Sequence, residues 1–212
     1  MKEGEGRVRD PGARRQNIVS AALQLFAQKG VAATSIRDIS SLAGESISTV
    51  YYYFDDKDDL FRSVMIEATI SNMAPVMEAE NDTGGSSLDR LRRILEAYLD
   101  FIIQHREPAM MLVRGLLRVL EYEDTPFMHV MADRFKVIED ILEEGRRKGE
   151  LADIDTTLFA YSFLGQAVTL FFANLVAETV EDWPYRAYSR EELLAFAERT
   201  LLAALEVEPE GG

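Results

Sequence analysis

Five hydroxyl-bearing side chains lie within seven residues of one another in the N-terminal quarter of this 212-residue chain. Ser and Thr hydroxyls and Tyr phenols hydrogen-bond readily to phosphate oxygens and to the edges of nucleic-acid bases. No Gly-rich phosphate loop, nucleophile elbow or Ser/His/Asp order accompanies them. The segment therefore predicts binding to a polar partner rather than covalent chemistry. The five residues are Ser46, Ser48, Thr49, Tyr51 and Tyr52.

Composition narrows the remaining chemistry. The chain has no cysteine, which excludes disulfides, thiolate metal sites and cysteine nucleophiles. His129 and Asp133 have the i, i+4 spacing of metal ligands, but no third ligand accompanies them, so we expect no metal site and no cofactor. The polar N-terminus and the polar interruptions in the most apolar stretch, Leu158–Ala177, predict a cytoplasmic protein without a membrane partner. We expect no enzymatic activity.

The charge is distributed unevenly along the chain. The formal net charge is −14, which by itself disfavours a nucleic-acid partner. From residue 7 to residue 54, however, there are six basic and three acidic residues, and four arginines (Arg7, Arg9, Arg14 and Arg15) cluster around the start of the first helix. The acid is concentrated beyond residue 54. This pattern predicts a small DNA-binding head on a body that does not touch DNA.

Hydrophobic periodicity predicts an all-α protein of about nine helices, because apolar residues recur at helical spacing and Gly and Pro fall between the periodic runs. A first helix is expected from about Ala13 to Lys29. A long fourth helix, capped by Asp56 and running to about Glu80, is expected to join two domains. These are an N-terminal domain (1–56) and a helical effector-binding and dimerisation domain (57–212).

The second and third helices form a helix-turn-helix in this prediction. Ile36–Ala43 is the first of the pair, Gly44 makes the tight turn, and the second helix follows Ser46 to about Tyr53. In such a motif the second helix enters the DNA major groove with its N-terminus first. The five hydroxyl-bearing residues from Ser46 to Tyr52 lie at the start of this helix or on it.

The N-terminal quarter resembles the TetR family of transcriptional repressors. The resemblance covers roughly residues 14 to 60, where several short motifs occur in order and at the family's spacing. They are IVSAALQLFAQKG from Ile18, TSIRDI from Thr34, AGES from Ala43, TVYYYF from Thr49, and Lys57. The rest of the chain matches only in the number and length of its helices.

The resemblance implies a set of DNA-contacting residues. Lys57 would lie near the phosphate backbone, and Thr49 and Tyr51 would meet phosphates. Ser48 and Tyr52 would be better placed for base edges. With the arginines of the N-terminal arm, the expected set is Arg14, Arg15, Thr34, Arg37, Ser46, Ser48, Thr49, Tyr51, Tyr52 and Lys57.

Two departures from the family pattern bear on DNA affinity. Ile47 and Ser48 stand where the family often has a small or basic pair. Acidic residues flank Lys57 at positions 55, 56, 58 and 59, and acid near phosphates costs affinity. Affinity would then depend on the arm arginines. The alternative is that DNA binding is weak or lost.

Seven of the eight methionines fall between residues 65 and 131, interleaved with or followed by aromatic residues. Methionine adapts to irregular volumes, so a Met-rich lining suits a sizeable, largely apolar ligand, although the same residues at helical spacing also suit a plain core. In the family a pocket opens among the middle helices. The expected lining is Met73, Met77, Phe101, Met111, Phe127 and Phe163.

The last two helices are expected to form the dimer interface. The eighth is apolar nearly all round and so must be buried all round, either centrally in a monomer or against a partner. In the family, the last two helices pair with those of a second subunit as a four-helix bundle. The expected interface residues are Phe163, Ala167, Phe171, Leu194 and Leu201.

Together these features predict a homodimeric, ligand-responsive repressor that binds a palindromic operator in double-stranded DNA. A small-molecule effector would favour a state in which the recognition helices are wrongly spaced, with the long fourth helix as the lever. Two rivals stay open. One is a helical ligand-binding protein that has lost DNA binding, and the other is a helical enzyme, for which no motif argues.

Overall fold

The computed structural model describes residues 11–118 and 126–206, and these ranges are helical without a strand, which confirms the all-α prediction. A short 3₁₀ turn, Leu202–Leu205, closes the described chain. The helices are α1 (Pro11–Lys29), α2 (Ile36–Ala43), α3 (Ile47–Tyr53), α4 (Lys57–Asn72), α5 (Ala74–Asn81), α6 (Ser87–Gln104), α7 (Arg106–Arg118), α8 (Pro126–Lys148), α9 (Thr156–Thr179) and α10 (Arg190–Leu201).

The head, α1 to α3, is built by local signals that agree with one another. Ser35 and Asp38 form a reciprocal capping box at the start of α2, and Gly44 ends that helix in the left-handed conformation at φ 65°. Ser46 caps α3 by accepting a hydrogen bond from the Thr49 amide. The three helices enclose a common core of Ile18, Ala22, Phe26, Ile39, Val50 and Phe54.

The prediction of one long fourth helix is wrong in its length. The helix that begins after Asp56 ends at Asn72, and α5 starts at Ala74 with Pro75 in its first turn. A proline inside a helix lacks the N–H for the i to i−4 bond and collides with the preceding turn, whereas the first turn tolerates it. The break raises the helix count from the expected nine to ten in the described ranges. The segment expected to act as the lever is thus two shorter helices joined at Met73.

The body, α4 to α10, is organised around α6, which packs against α5, α7, α8, α9 and α10. A capping box formed by Ser86 and Asp89 starts α6. Its apolar stripe is buried among these neighbours, at Leu91, Ile94, Leu95, Leu99 and Ile102. Helix α6 therefore forms the centre of the body.

A buried carboxyl group lies within that apolar packing. Glu80, at the end of α5, is paired with Arg134 of α8, with Nη1 and Oε2 2.7 Å apart. The Tyr98 hydroxyl of α6 donates to the other Glu80 carboxylate oxygen at 3.5 Å. Burial raises the pKa of Glu80 to about 7 against the opposing effect of Arg134, and it raises the pKa of Tyr98 well above its ordinary value. Three helices are tied together at this point.

Head and body meet where α1 packs against α4 and α7. Arg15 of α1 forms an ion pair with Glu67 of α4 at 2.5 Å, and its guanidinium lies 5.2 Å from the centroid of the Phe54 ring. Arg114 of α7 donates a hydrogen bond to the carbonyl of Ala27, near the end of α1, at 3.2 Å. The position of the head is therefore coupled to two helices of the body.

Candidate functional site

The exposed face of α3 brings together the hydroxyls expected to contact DNA. The Ser46 hydroxyl lies 2.8 Å from that of Ser48 and 2.7 Å from that of Thr49. Tyr51 is 53% exposed and Tyr52 is 80% exposed. These side chains form one polar surface on the second helix of the helix-turn-helix, which is the helix that such motifs insert into the major groove.

Arg37 is the exposed cation of α2 in the expected set. The neighbouring carboxylate, Asp38, does not compete for it, because Asp38 bonds to Lys29 at 2.9 Å and caps α2 through Ser35. The hydrogen bond from Lys29 and those from Ser35 lower the pKa of Asp38 to about 2. Arg37 is thus available to bind a phosphate, because the neighbouring Asp38 carboxylate is already bonded to Lys29 and Ser35.

Two members of the expected set make hydrogen bonds within the fold; for the buried Thr34 this corrects the prediction, whereas for Lys57 the DNA contact stays a prediction. Thr34 is 1% exposed, and its hydroxyl donates to the Gly30 carbonyl at 2.7 Å. The Lys57 ammonium donates to the carbonyls of Val31 and Thr34 at 2.8 and 3.0 Å. Both side chains donate hydrogen bonds to backbone carbonyls of the α1–α2 connection. Without them these carbonyls would be removed from water and left without a hydrogen-bond donor.

The arginines before and within α1 differ in how accessible their guanidinium groups are to DNA. Arg15 is held by Glu67 and Phe54, as described above. Arg14 is partly exposed, although its Nε is buried without a hydrogen-bond partner. Arg7 and Arg9 lie outside the described residues.

The acidic cluster before and within the first turn of α4 is largely engaged in capping. The Asp59 amide donates to Asp56 at 2.7 Å, and the Asp55 amide donates to Asp59 at 3.2 Å. The predicted Asp56 cap is therefore present. Carboxylates at a helix N-terminus interact favourably with the helix dipole, which offsets part of their charge toward a nearby phosphate.

Two apolar residues on this surface were missed by reasoning from residue chemistry alone. Leu42 at the end of α2 is 49% exposed and Ile47 at the start of α3 is 39% exposed. Apolar side chains at such positions can pack against the methyl group of thymine. The signal was present in the sequence, since Ile47 directly follows the capping Ser46.

The residues expected to line the effector pocket lie mostly in the core. Met73, Phe101, Met111 and Phe163 are each at most 4% exposed, whereas Met77 is 37% exposed. The side chain of Phe127 lies outside the described residues. Of the residues in this set whose side chains the structure describes, none lines the two cavities that open beside α8, α9 and α10.

The first of these cavities, of about 410 Å³, opens between α8 and α9. Its lining is largely Met, Ala and aromatic: Met128, Met131, Ala132, Phe135, Ala160 and Tyr161. Lys136, Glu139 and Thr157 also line it. The volume and the apolar lining fit a small, largely apolar molecule.

The second cavity, of about 550 Å³, lies on the outer side of α9 and α10. Leu170, Tyr188, Leu193, Ala195 and Phe196 line it, with Glu191, Glu192 and Arg199. It is open in the single chain.

The residues expected at the dimer interface mostly face inward, which corrects that prediction. Phe163, Ala167, Phe171 and Leu201 are at most 7% exposed within one chain, and only Leu194 is partly exposed. A helix that is apolar all round gives no sequence signal for which face meets its own core. The outward apolar side chains are instead Leu158, Tyr161, Phe172 and Phe196, which are 44–64% exposed.

Helix α9 is also the one described helix that is long and apolar enough to cross a membrane, and only 22% of its most apolar window is buried. Among the described residues α9 thus exposes an apolar face, and such faces commonly mark interaction surfaces.

Family models match both parts of the molecule. The model described as "Bacterial regulatory proteins, tetR family" matches residues 18–64, and "Tetracyclin repressor-like, C-terminal domain" matches residues 84–171. The chain belongs to the TetR family of transcriptional regulators. It is a helix-turn-helix DNA-binding protein with a ligand-binding domain. The members of this family are transcriptional regulators, not enzymes, and they are typically dimeric.

Individual TetR relatives agree with this assignment. The chain is 33% identical over 119 residues to the transcriptional regulator AcrR of Shigella flexneri, covering 56% of this chain but only about half, 52%, of AcrR. It is 25% identical over 162 residues to the transcriptional repressor NicS of Pseudomonas putida, covering 76% of each. The structure of AibR with isovaleryl coenzyme A and operator DNA superimposes with a TM-score of 0.72 at 16% identity, over 89% of this chain and 98% of AibR.

Proposed function

We propose that this TetR-family protein is a cytoplasmic homodimeric repressor that binds a palindromic operator and is released by a small, largely apolar effector. In this proposal residues 1–56 bind DNA, and residues 57–212 bind the effector and the second subunit. The observation that carries it is the exposed polar face of α3 in an otherwise well-packed helix-turn-helix head.

DNA recognition in this proposal depends on hydrogen bonds and apolar contacts more than on charge. Helix α3 carries no charged residue, so Ser48 and Tyr52 contact base edges while Ser46, Thr49 and Tyr51 contact phosphates. Arg37, Arg14 and the arm arginines supply the phosphate-neutralising cations. The free energy of binding should therefore depend less on salt than in a head whose recognition helix is basic.

Dimer formation is supported by the apolar surface that one chain leaves exposed. Tyr161 and Phe172 of α9 and Phe196 of α10 are large side chains that water covers in the single chain. Gly165 has open space within 4 Å of where its Cβ would lie, which leaves room for another helix to approach α9 closely. A two-fold interface buries this same face on both subunits and presents two recognition helices to one palindrome.

The effector would occupy the cavity between α8 and α9, whose lining contains Met128, Met131 and Phe135. AibR, with which the fold is shared, was solved with isovaleryl coenzyme A, a ligand whose acyl group is apolar. We extend to this chain only the apolar character of that group. Other compounds that bury an apolar part of similar size remain candidates in a screen.

A signal from this cavity has a short path to the head. Helix α8 packs against α4, α4 packs against α1 and α7, and Arg114 of α7 bonds to α1. An effector that binds better to one spacing of the two heads shifts the equilibrium by its differential affinity. The break at Met73 separates α4 from α5, and in this proposal it allows α4 to move independently of α5.

The first experiment is selection of operator sequences from random duplex DNA by the purified protein. Enrichment of a palindrome supports the repressor, and its release by candidate effectors identifies the ligand class. If a folded dimer enriches no sequence at low salt, with or without effector, the proposal fails. The chain would then be a helical ligand-binding protein without sequence-specific DNA binding, consistent with the uncharged α3 and the occupied Lys57 and Arg15.

A further inference from the structure

The connection between α9 and α10, residues 180–189, exposes four large side chains that neither the DNA surface nor the effector cavity uses. Val180 is 48% exposed, Trp183 43%, Tyr185 68% and Tyr188 47%. Monomeric proteins rarely leave so much apolar surface together in one short segment. We refer to this segment as the aromatic arm.

The aromatic arm is held in a defined shape. The Tyr188 amide donates to the Asn174 side-chain oxygen at 2.6 Å, and the Asn174 amide nitrogen donates back to the Tyr188 carbonyl at 3.3 Å. The Arg186 guanidinium binds both carboxylate oxygens of Glu192, at 3.0 and 2.6 Å, and lies 4.2 Å from the centroid of the Tyr188 ring. Bidentate pairing and ring stacking restrict the arm in advance, which lowers the entropy that a contact would cost.

The arm does not fill the open cavity beside it. Tyr188 forms part of the wall of the 550 Å³ cavity, but Trp183 and Tyr185 are not among its lining residues. Their rings contact each other edge to face, with centroids 6.0 Å apart. One chain therefore carries a protruding aromatic pair and, next to it, an unfilled apolar cavity.

We infer that the aromatic arm of each subunit packs its Trp183–Tyr185 pair into the α9–α10 cavity of a second copy of this chain. The inference rests on the proposed homodimer and extends it beyond helix pairing. A two-fold interface requires that each surface meet its own copy, so a projection and a cavity on the same face can satisfy each other reciprocally. The cavity wall at Leu170 and Phe196 is continuous with the exposed face of α9 and α10.

The size of the contact is appropriate for an interface. Aromatic side chains bury roughly 150–250 Å² each when fully covered. At their exposed fractions, four such rings in the dimer add on the order of 300–500 Å² to an interface whose standard total is about 1,600 Å². Trp and Tyr are also the side chains that most often dominate binding energy at interface centres.

Trp183 is the only tryptophan in the chain, so its fluorescence reports the arm directly. We expect acrylamide to quench it weakly in the dimer and strongly after dilution to monomer, with the same midpoint that sedimentation velocity gives for dissociation. A dimer in which Trp183 is as accessible as in the monomer would overturn the arm contact and leave the dimer intact. A chain that stays monomeric at all concentrations would overturn both.

A complementation test separates contact with the second copy from packing within one chain. Trp183→Ala removes the projection, and Ala195→Trp fills the cavity. Each variant alone should weaken the dimer Kd at least tenfold, whereas Tyr52→Ala, which removes an aromatic side chain on the head that is 80% exposed, should leave the dimer Kd unchanged. Mixing the two variants restores one of the two contacts, so heterodimers should form at concentrations where neither variant dimerises alone. No recovery on mixing would contradict the inference.

Discussion

The guanidinium of Arg114 on α7 lies against Gly30, where a Cβ atom would stand 2.9 Å from Arg114 Nη1. From the same position Arg114 donates to the Ala27 carbonyl at 3.2 Å. Gly30 itself has a φ of 83°, a conformation that costs other residues roughly 1–2 kcal/mol. The end of α1 is thus shaped both by its own glycine and by a residue of the body.

We predict that Gly30→Ala and Arg114→Ala are not additive in stability. Gly30→Ala should destabilise by about 2 kcal/mol, because it adds left-handed strain and displaces Arg114 from its hydrogen bond. In the Arg114→Ala background only the left-handed strain remains, so Gly30→Ala should lower the free energy of unfolding by less. Urea unfolding of the four proteins measures this. Gly149→Ala is the matched control, since φ there is 71° and nothing lies within 4 Å of its Cβ; additive losses at positions 30 and 114 would refute the coupling.

Substitution of the exposed Arg37 and of the internally bonded Lys57 should have different effects on the salt dependence of DNA binding. Arg37→Gln removes one phosphate contact per head, so the slope of log K for the operator against log salt should become shallower by about 2 for the dimer. Lys57→Gln should leave the slope unchanged and lower the free energy of unfolding by about 1–3 kcal/mol, because its hydrogen bonds to Val31 and Thr34 are lost. Equal slope changes for both variants would mean that Lys57 contacts DNA after all.

These two cations illustrate what sequence can and cannot specify. The helix-turn-helix was predictable because caps, turn glycine and apolar spacing all act locally, as at Ser35, Gly44 and Ser46. Whether a lysine reaches phosphate or an internal carbonyl depends on residues 23 to 26 positions away, which no local pattern encodes. The break before Pro75 was predictable from proline chemistry. The inward face of α9 was not, since its apolar residues surround the helix.

Glu80 should make the body less stable as the pH rises toward neutrality. Its pKa of about 7 lies above the ordinary 4.5, so between these values the folded chain holds a proton that the unfolded chain has released. This stabilisation is complete below pH 4.5 and is lost as the pH rises through 7. It amounts to at most about 3 kcal/mol. Glu80→Gln should therefore reduce the pH dependence of the free energy of unfolding between pH 5 and pH 8, as measured by urea titration.

The control for this prediction is Glu78→Gln, two residues earlier on the same helix, where the side chain is exposed. It should keep the pH dependence of the parent protein. If Glu80→Gln shows the same slope as the parent between pH 5 and pH 8, the pH dependence comes from other groups. The buried pair with Arg134 would then contain an ionised Glu80 throughout this range.

Two adjacent phenylalanines of α9 should have opposite roles. Phe171 is 7% exposed and packs in the core of one chain, whereas Phe172 is 51% exposed. Phe171→Ala should lower the free energy of unfolding by about 3–5 kcal/mol, because it leaves a cavity. Phe172→Ala should weaken the dimer Kd at least tenfold and leave the unfolding of the diluted monomer within about 0.5 kcal/mol of the parent. Sedimentation velocity and urea unfolding below the dimer Kd measure the two effects separately. Weakened dimerisation by Phe171→Ala alone would restore the inward face of α9 as the interface and remove the outward face from it.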